Sequence, residues 1–269
     1  MTATINADGT TTIVSINKDT DGNSITTASQ ITDLSDRITT VVGERGLTTS
    51  YSNFTPAGHP LDIIQSDSTY THTTLDSAAR PTKVETYKAD GTLVATVNTS
   101  YHPDGKVAAK WGTNTNPTYQ LFDLQGRIVE LRTYRSANLS LAPTATTPDY
   151  DATTWNYDPA TGLLLSKRHA DNKGPDYTYT PIGQLHTRTW ARTFGESPFV
   201  TTYGYTPAGQ LVSTDYNDTT PCVSITYDRL GRQLTQFNGL VQSTFIYDPA
   251  TLALDQETIS YNLDGQPGF

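Results

Sequence analysis

YTPIGQL (179–185), YTPAGQL (205–211) and ITYDRLGRQL (225–234) are versions of one phrase: an aromatic residue, a short polar turn, a glycine, then Gln or Arg and an aliphatic residue. In the second copy Pro207 has the fixed φ that the second position of a type I turn requires. Gly209 then supplies the positive φ of the bulge that closes such a hairpin, and Gln210-Leu211 restart the chain as a return strand. The phrase reads as strand, tight turn, strand.

Working outward, near copies are YKADGTL (87–93), YHPDGKV (101–107), FDLQGRI (122–128) and YNLDGQP (261–267), and FTPAGHPL (54–61) fits with a one-residue shift. YDPATGLL (157–164) and YDPATLAL (247–254) carry one extra turn residue, and LDSAARP (75–81) has Ala79 where Gly is expected. Lead residues at 54, 75, 87, 101, 122, 157, 179, 205, 227, 247 and 261 give typical gaps of 20 to 22, room for two short strands and two turns, or one hairpin per repeat. The gaps 75–87, 87–101 and 247–261 are shorter, and 122–157 is long. Residues 1–50 hold worn copies, NADGT (6–10), DTDGN (19–23), LSDRI (34–38) and GERGLTT (43–49), read as continuous with the array over 51–269. The expected structural residues are the turn glycines Gly58, Gly91, Gly105, Gly126, Gly162, Gly183, Gly209, Gly231 and Gly265, and the aromatics Tyr87, Tyr101, Phe122, Tyr157, Tyr179, Tyr205, Tyr227, Tyr247 and Tyr261.

The incoming strands have a period of two. Trp155/Tyr157, Tyr177/Tyr179, Tyr203/Tyr205, Ile225/Tyr227 and Phe245/Tyr247 each put two large side chains on one face, so stacked hairpins would line aromatics into ladders. Hydrophobic residues make up only 35% of the chain and charged ones 17%, but 16 Tyr and 7 Phe separate it from a disordered polymer. Thr and Tyr favour pleated, half-buried surfaces, and no capped apolar series of helical spacing is found. The fold class expected is all-β, an antiparallel hairpin repeat array. Two stretches interrupt it: SANLSLAPTATTPDYDATT (136–154), read as an irregular loop, and ARTFGESPFV (191–200), read as a longer outer loop.

A net charge of −9 without a basic stripe argues against nucleic acid, and no run approaches the ~20 apolar residues of a membrane span. The first ten residues, MTATINADGT, lack the basic and apolar regions of a signal peptide. Cys222 is the single cysteine, which rules out an internal disulfide; it is read as a small buried residue at a strand start, in preference to a nucleophile.

Candidate chemistry is sparse. His59, His72, His102, His169 and His186 show no metal-ligand spacing, and no phosphate loop, nucleophile elbow or dinucleotide fingerprint occurs. Asn17, Asp19 and Asp21 before Gly22 resemble half of a calcium loop, but Ala28 stands where a bidentate Glu is needed, so an Asp-Gly turn is preferred. Asp104, Asp123, Asp158, Asp228, Asp248 and Asp264 fall at equivalent turn positions, which speaks for turn chemistry and against a catalytic pair. Trp111, Trp155 and Trp190 offer faces on which a sugar ring could stack, against the simpler reading that they pack under loops. No catalytic, metal or cofactor site is expected.

The signature Y-[TD]-x-x-G-[RQ]-L, in copies such as ITYDRLGRQL (225–234) and YTPAGQL (205–211), resembles the RHS, or YD, repeats of bacterial Rhs toxins, insecticidal toxin complex C components, wall-associated proteins and teneurins, over about residues 50–269. The resemblance implies a strip of hairpins spiralling into a hollow shell, which in toxin members encloses a C-terminal effector. Some members end in a self-cleaving region near a DPxG-like sequence. YDPATGLLLSK (157–167) is superficially similar, but Arg168-His169-Ala170 replace the second Asp-Pro, and ordinary repeats flank it, so it is read as a repeat. The function expected is therefore a structural, non-catalytic part of a secreted or surface bacterial protein, an encapsulating shell or scaffold. Its partners would be the rest of a longer repeat chain, an enclosed effector, and further copies through open strand edges. The alternative is a carbohydrate-binding or adhesin module with a glycan ligand.

Overall fold

In the computed structural model, described over residues 1–113, 115–135 and 141–261, every regular element is a β-strand. In chain order these are β1 (Thr2–Ile5), β2 (Thr11–Lys18), β3 (Ser24–Thr32), β4 (Ile38–Val42), β5 (Thr48–Phe54), β6 (Pro60–Ile64), β7 (Tyr70–Leu75), β8 (Pro81–Tyr87), β9 (Leu93–Tyr101), β10 (Val107–Gly112) and β11 (Thr115–Phe122). There follow β12 (Ile128–Thr133), β13 (Asp151–Tyr157), β14 (Leu164–Arg168), β15 (Asp176–Tyr179), β16 (Leu185–Phe194), β17 (Ser197–Tyr205), β18 (Leu211–Tyr216), β19 (Val223–Tyr227), β20 (Gln233–Phe237), β21 (Val241–Tyr247) and β22 (Leu254–Tyr261).

The strands fall into two compact units, Met1–Leu121 with Leu131–Tyr150, and Phe122–Glu130 with Asp151 onward. In the first, each strand from β1 to β11 pairs antiparallel with the next. In the second the same holds from β13 to β22. This is an up-and-down meander, the arrangement that short turns between successive strands enforce.

One turn geometry recurs. The Thr206 N–H donates to the Gln210 carbonyl (2.8 Å), the Gly209 N–H donates to the Thr206 carbonyl (2.9 Å), and Gly209 has φ +87°. The pairing register steps by one residue between Gly204 and Tyr205, which is the bulge such a turn introduces. In unit 1 the same bonds close nearly every connection, including 6–10, 19–23, 33–37 and 43–47. This explains the short gaps after 75 and 87. There the phrase marks both edges of the meander, so successive leads are one strand apart, whereas the gaps of 20 to 22 span a hairpin.

Two expectations are corrected. Residues 191–200 are not a long outer loop: β16 and β17 run through them, Phe194 pairs with Ser197, and only Gly195 (φ +61°) and Glu196 form the turn. The buried Phe199 (4% exposed) holds this extension down, a packing contact that the Gly-Glu-Ser-Pro run conceals. Cys222 is exposed, in the loop before β19, where Pro221 has no N–H with which to begin the strand pairing earlier. Of the stretch 136–154, residues 136–140 lie outside the described residues, 141–150 hold no strand, and Asp151–Thr154 belong to β13.

The apolar interior is thin. Among the described residues the buried hydrophobic side chains include Ala108, Ala109, Pro117, Tyr134 and Phe199, and Thr32 and Thr201 are buried polar ones. Tyr134 is fully buried in unit 1; its N–H donates to the Pro117 carbonyl and its ring meets Tyr150 edge-on at 5.8 Å. With so little core, cohesion depends on what joins one hairpin to the next.

Candidate functional site

The residues at the recurrent positions meet at a seam between successive hairpins. The Tyr205 hydroxyl donates to the Leu185 carbonyl (2.8 Å), Tyr179 to Leu164 (2.8 Å), Tyr227 to Leu211 (2.8 Å) and Tyr247 to Gln233 (2.8 Å). Tyr157 donates to Ile128 (3.0 Å) and Tyr101 to Pro81 (2.8 Å). In all six the acceptor is two residues beyond the turn glycine of the preceding hairpin, or beyond Ala79 in the last case. The cause is the register. The β16–β17 ladder runs from Thr187↔Thr202 to Phe194↔Ser197, so Leu185 lies past its end; the phenol reaches round to a carbonyl the ladder leaves over.

The residue just after the glycine reaches the other way. The Gln184 amide donates to the Gly209 carbonyl (2.8 Å) and that of Gln210 to Gly231 (2.9 Å). Arg127 donates to the Gly162 carbonyl (3.0 Å) and Arg232 to Leu252 (3.1 Å). The guanidinium also lies on the lead aromatic of the next hairpin along the same edge: Arg80 over Tyr101 at 4.4 Å, Arg127 over Tyr157 at 4.4 Å, Arg232 over Tyr247 at 4.3 Å and Arg37 over Phe54 at 4.6 Å. Adjacent hairpins are thus bonded in both directions, tyrosine backward and Arg or Gln forward.

Within six of the turns the first residue is matched to the one four positions on. In four turns that open on Asp, one carboxylate oxygen accepts backbone N–H groups and the other pairs with Arg: Asp123–Arg127 at 2.7 Å and Asp228–Arg232 at 2.7 Å, with Asp33–Arg37 and Asp76–Arg80 alike. Where it is Thr, the hydroxyl accepts the same N–H and the partner is neutral, as in Thr180/Gln184 and Thr206/Gln210 (3.1 Å each). These bonds hold the turn carboxyls below the usual range: the Arg37 guanidinium on Asp33 first among causes, and the Arg80 backbone N–H on Asp76.

No family model matches the chain, and no curated protein does. Among solved structures it is similar to a Photorhabdus luminescens Tc holotoxin pore, at 11% identity over 96% of this chain and 17% of that one, with a TM-score of 0.36. A TcdB2–TccC3–Cdc42 structure gives 10% identity over 98% of this chain and 18% of that one, with a TM-score of 0.36. A porin-like protein from Bacteroides uniformis gives 9% identity over 97% and 93% of the two chains, with a TM-score of 0.18. The chain spans under a fifth of the toxin chains it matches.

Eight of the nine glycines singled out from the sequence have positive φ, from +76° at Gly162 to +88° at Gly105. Gly265 lies outside the described residues. Of the aromatics, Tyr87 stacks on Tyr70 (4.6 Å between centroids), Phe122 ends β11 before the turn at Asp123, and Tyr261 ends β22, largely exposed. The calcium-like stretch is a turn: Asp19 accepts the N–H groups of Asp21 and Asn23, and no group of potential metal ligands assembles among the described residues. Two of the tryptophans have cations on them, Trp190 with Arg188 at 3.5 Å and Trp155 with Lys167 at 5.4 Å. Sequence reasoning missed the reciprocal seam. Its signal was there, since Gln or Arg follows the glycine wherever Thr or Asp, respectively, opens the three-residue form of the phrase in YTPIGQL, YTPAGQL, FDLQGRI and YDRLGRQ.

Proposed function

We propose that the chain is a structural segment of a larger secreted or surface bacterial assembly, a strip of hairpins forming part of a shell or scaffold around an effector. The observation that carries this reading is the seam: the aromatic and Arg/Gln side chains that recur along the sequence hold one hairpin to the next, and the Asp/Thr side chains brace the turns. The proposal assigns the chain no catalysis of its own. The resemblance to RHS/YD repeats points the same way.

The test is protease accessibility of the native polypeptide that carries this segment. The array and whatever it surrounds should resist cleavage together, and mild denaturant that opens the strands should expose the surrounded segment at once. Cleavage of every other segment at an equal rate with and without denaturant would remove the enclosing role.

A further inference from the structure

One place in unit 1 departs from the seam's economy. At the position three residues before the lead, the second unit carries Thr154, Thr202, Ser224 and Thr244, and Asp176, whose carboxylate is paired with Arg168. The corresponding residue of β7 is His72, and it sits in a polar row across four strands: Ser52↔Asp62, Asp62↔His72 and His72↔Glu85 are direct register partners. Direct partners share a face, so these groups project together. The His72 Nδ1 bonds the Asp62 carboxylate at 2.5 Å, while Glu85 is taken by the Lys83 ammonium at 2.6 Å. Next along the strands, Tyr70 and Tyr87 stack at 4.6 Å and 9° between planes. Together Ser52, Asp62, Ile64, Tyr70, His72 and Tyr87 line an open cavity of about 410 Å³. That volume is in the range of small-ligand sites, which combine apolar and aromatic walls with a few convergent polar groups.

The chemistry of those groups selects the ligand. With its Nδ1 bonded to Asp62, His72 still has a second ring nitrogen to offer, and the Asp62 carboxylate keeps acceptor capacity that one imidazole does not fill. Glu85 is neutralised by Lys83, which leaves the Asp62 charge unmatched by any Lys or Arg among the described ion pairs. Acceptors beside tyrosine rings, in a chain of net charge −9, favour a cation that donates several hydrogen bonds. We infer that the Ser52–Asp62–His72 row and the Tyr70/Tyr87 stack form a binding site for an alkylammonium or alkylguanidinium group. The group is either a free small amine or the end of a basic side chain on a partner protein.

Saturation-transfer NMR on the full chain tests this, with n-butylammonium and ethylguanidinium as cationic probes, glucose and acetate as controls, and a Gly/Ser peptide carrying one central lysine. The cations should show transfer that Asp62→Asn weakens by about ten-fold, the loss of one charge-assisted hydrogen bond. Tight binding of the lysine peptide supports the site and names a protein partner as the source; binding of the free cations alone supports it and names a small amine. No transfer from either cation overturns the inference, as does equal or stronger transfer from glucose or acetate, or an affinity that Asp62→Asn leaves unchanged. Should Asp62→Asn fail to fold, Tyr87→Leu decides in its place, and unchanged affinity there is equally fatal. None of these outcomes bears on the shell reading, which protease accessibility tests separately.

Discussion

The hydroxyl of Tyr205 donates to the carbonyl of Leu185, twenty residues earlier in the chain, at 2.8 Å. Tyr227 repeats the relation with Leu211, and Tyr247 with Gln233. A ladder of hairpins with so few buried apolar side chains gains lateral order from bonds of this kind, each supplying a partner to a backbone group at the end of a strand pair. Tyr205→Phe keeps the ring and removes only the donor. It should cost about 1 kcal/mol, seen as a lower denaturation midpoint with the slope unchanged. An unaltered midpoint would mean that water replaces the phenol without loss.

Gly209 tests the turn. Its φ is +87°, and a Cβ there would lie 3.2 Å from the Gln184 amide nitrogen, the group that crosses the seam to the Gly209 carbonyl. Gly209→Val therefore strains the turn and pushes the seam apart. A loss of about 2 kcal/mol or more is expected, since β-branched residues are the least tolerant of positive φ. A melting temperature equal to that of the wild type would argue against the turn geometry.

Much of this was legible before the structure. The Pro-x-Gly chemistry of YTPAGQL dictates the bulged turn, and the aromatic period of two dictates strands, so the antiparallel meander follows from local rules. Less legible was what each aromatic touches. The sequence lines the lead aromatics into ladders; at Tyr101, Tyr157 and Tyr247 each ring also lies under a guanidinium, with its hydroxyl on a carbonyl. Register decides this, and register depends on bulges whose position the sequence marks only through the glycine. The Asp62–His72 row was hidden for the same reason: ten residues separate the two in the chain, and only the β6–β7 alignment makes them neighbours. The stretch 191–200 misled because Gly, Ser and Pro in one window suggest a loop, whereas burial of Phe199 makes a long hairpin.

The matching of Asp with Arg and Thr with Gln predicts non-additivity. Asp228→Thr alone removes the carboxylate and strands the Arg232 guanidinium, which Asp228 holds at 2.7 Å. Adding Arg232→Gln rebuilds the Thr/Gln turn already present at Thr206 and Gln210. The double variant should recover about half or more of the stability lost by Asp228→Thr, a coupling of some ~0.5 kcal/mol or above in a double-mutant cycle. Strictly additive losses would show that the two positions act independently.

Acid should loosen the turns. The Asp33 carboxyl is lowered below its ordinary 3.8 by the Arg37 side chain and backbone N–H bonds, and Asp76 is lowered likewise by Arg80. A group whose folded value is depressed contributes its full stability above the unfolded value and loses it as pH falls through the folded one. The melting temperature should therefore hold steady down to the region of 3.8 and drop below it. Asp33→Asn with Asp76→Asn should lessen that drop in part, since Asp123 and Asp228 are lowered as well, while lowering the neutral-pH value. An acid limb of equal steepness in the double variant would place the titration elsewhere.

Ala79 offers the reverse experiment. It stands in the glycine position of its turn with φ +59°, and its N–H bonds the Asp76 carbonyl at 3.0 Å, so the backbone has the same form as at Gly209 but carries a Cβ in the left-handed region. That conformation costs an L-residue roughly 1 kcal/mol or more, while glycine enters it freely, at the expense of a more flexible unfolded chain. The first effect exceeds the second where φ is positive, so Ala79→Gly should raise stability, by about 0.5–1 kcal/mol. Because Arg80 and Pro81, the residues that hold Tyr101, follow directly, relief of strain at Ala79 should also slow amide exchange in β9. A variant no more stable than the wild type, with exchange in β9 unchanged, would mean that strain at Ala79 is no larger than the entropy glycine adds to the unfolded chain.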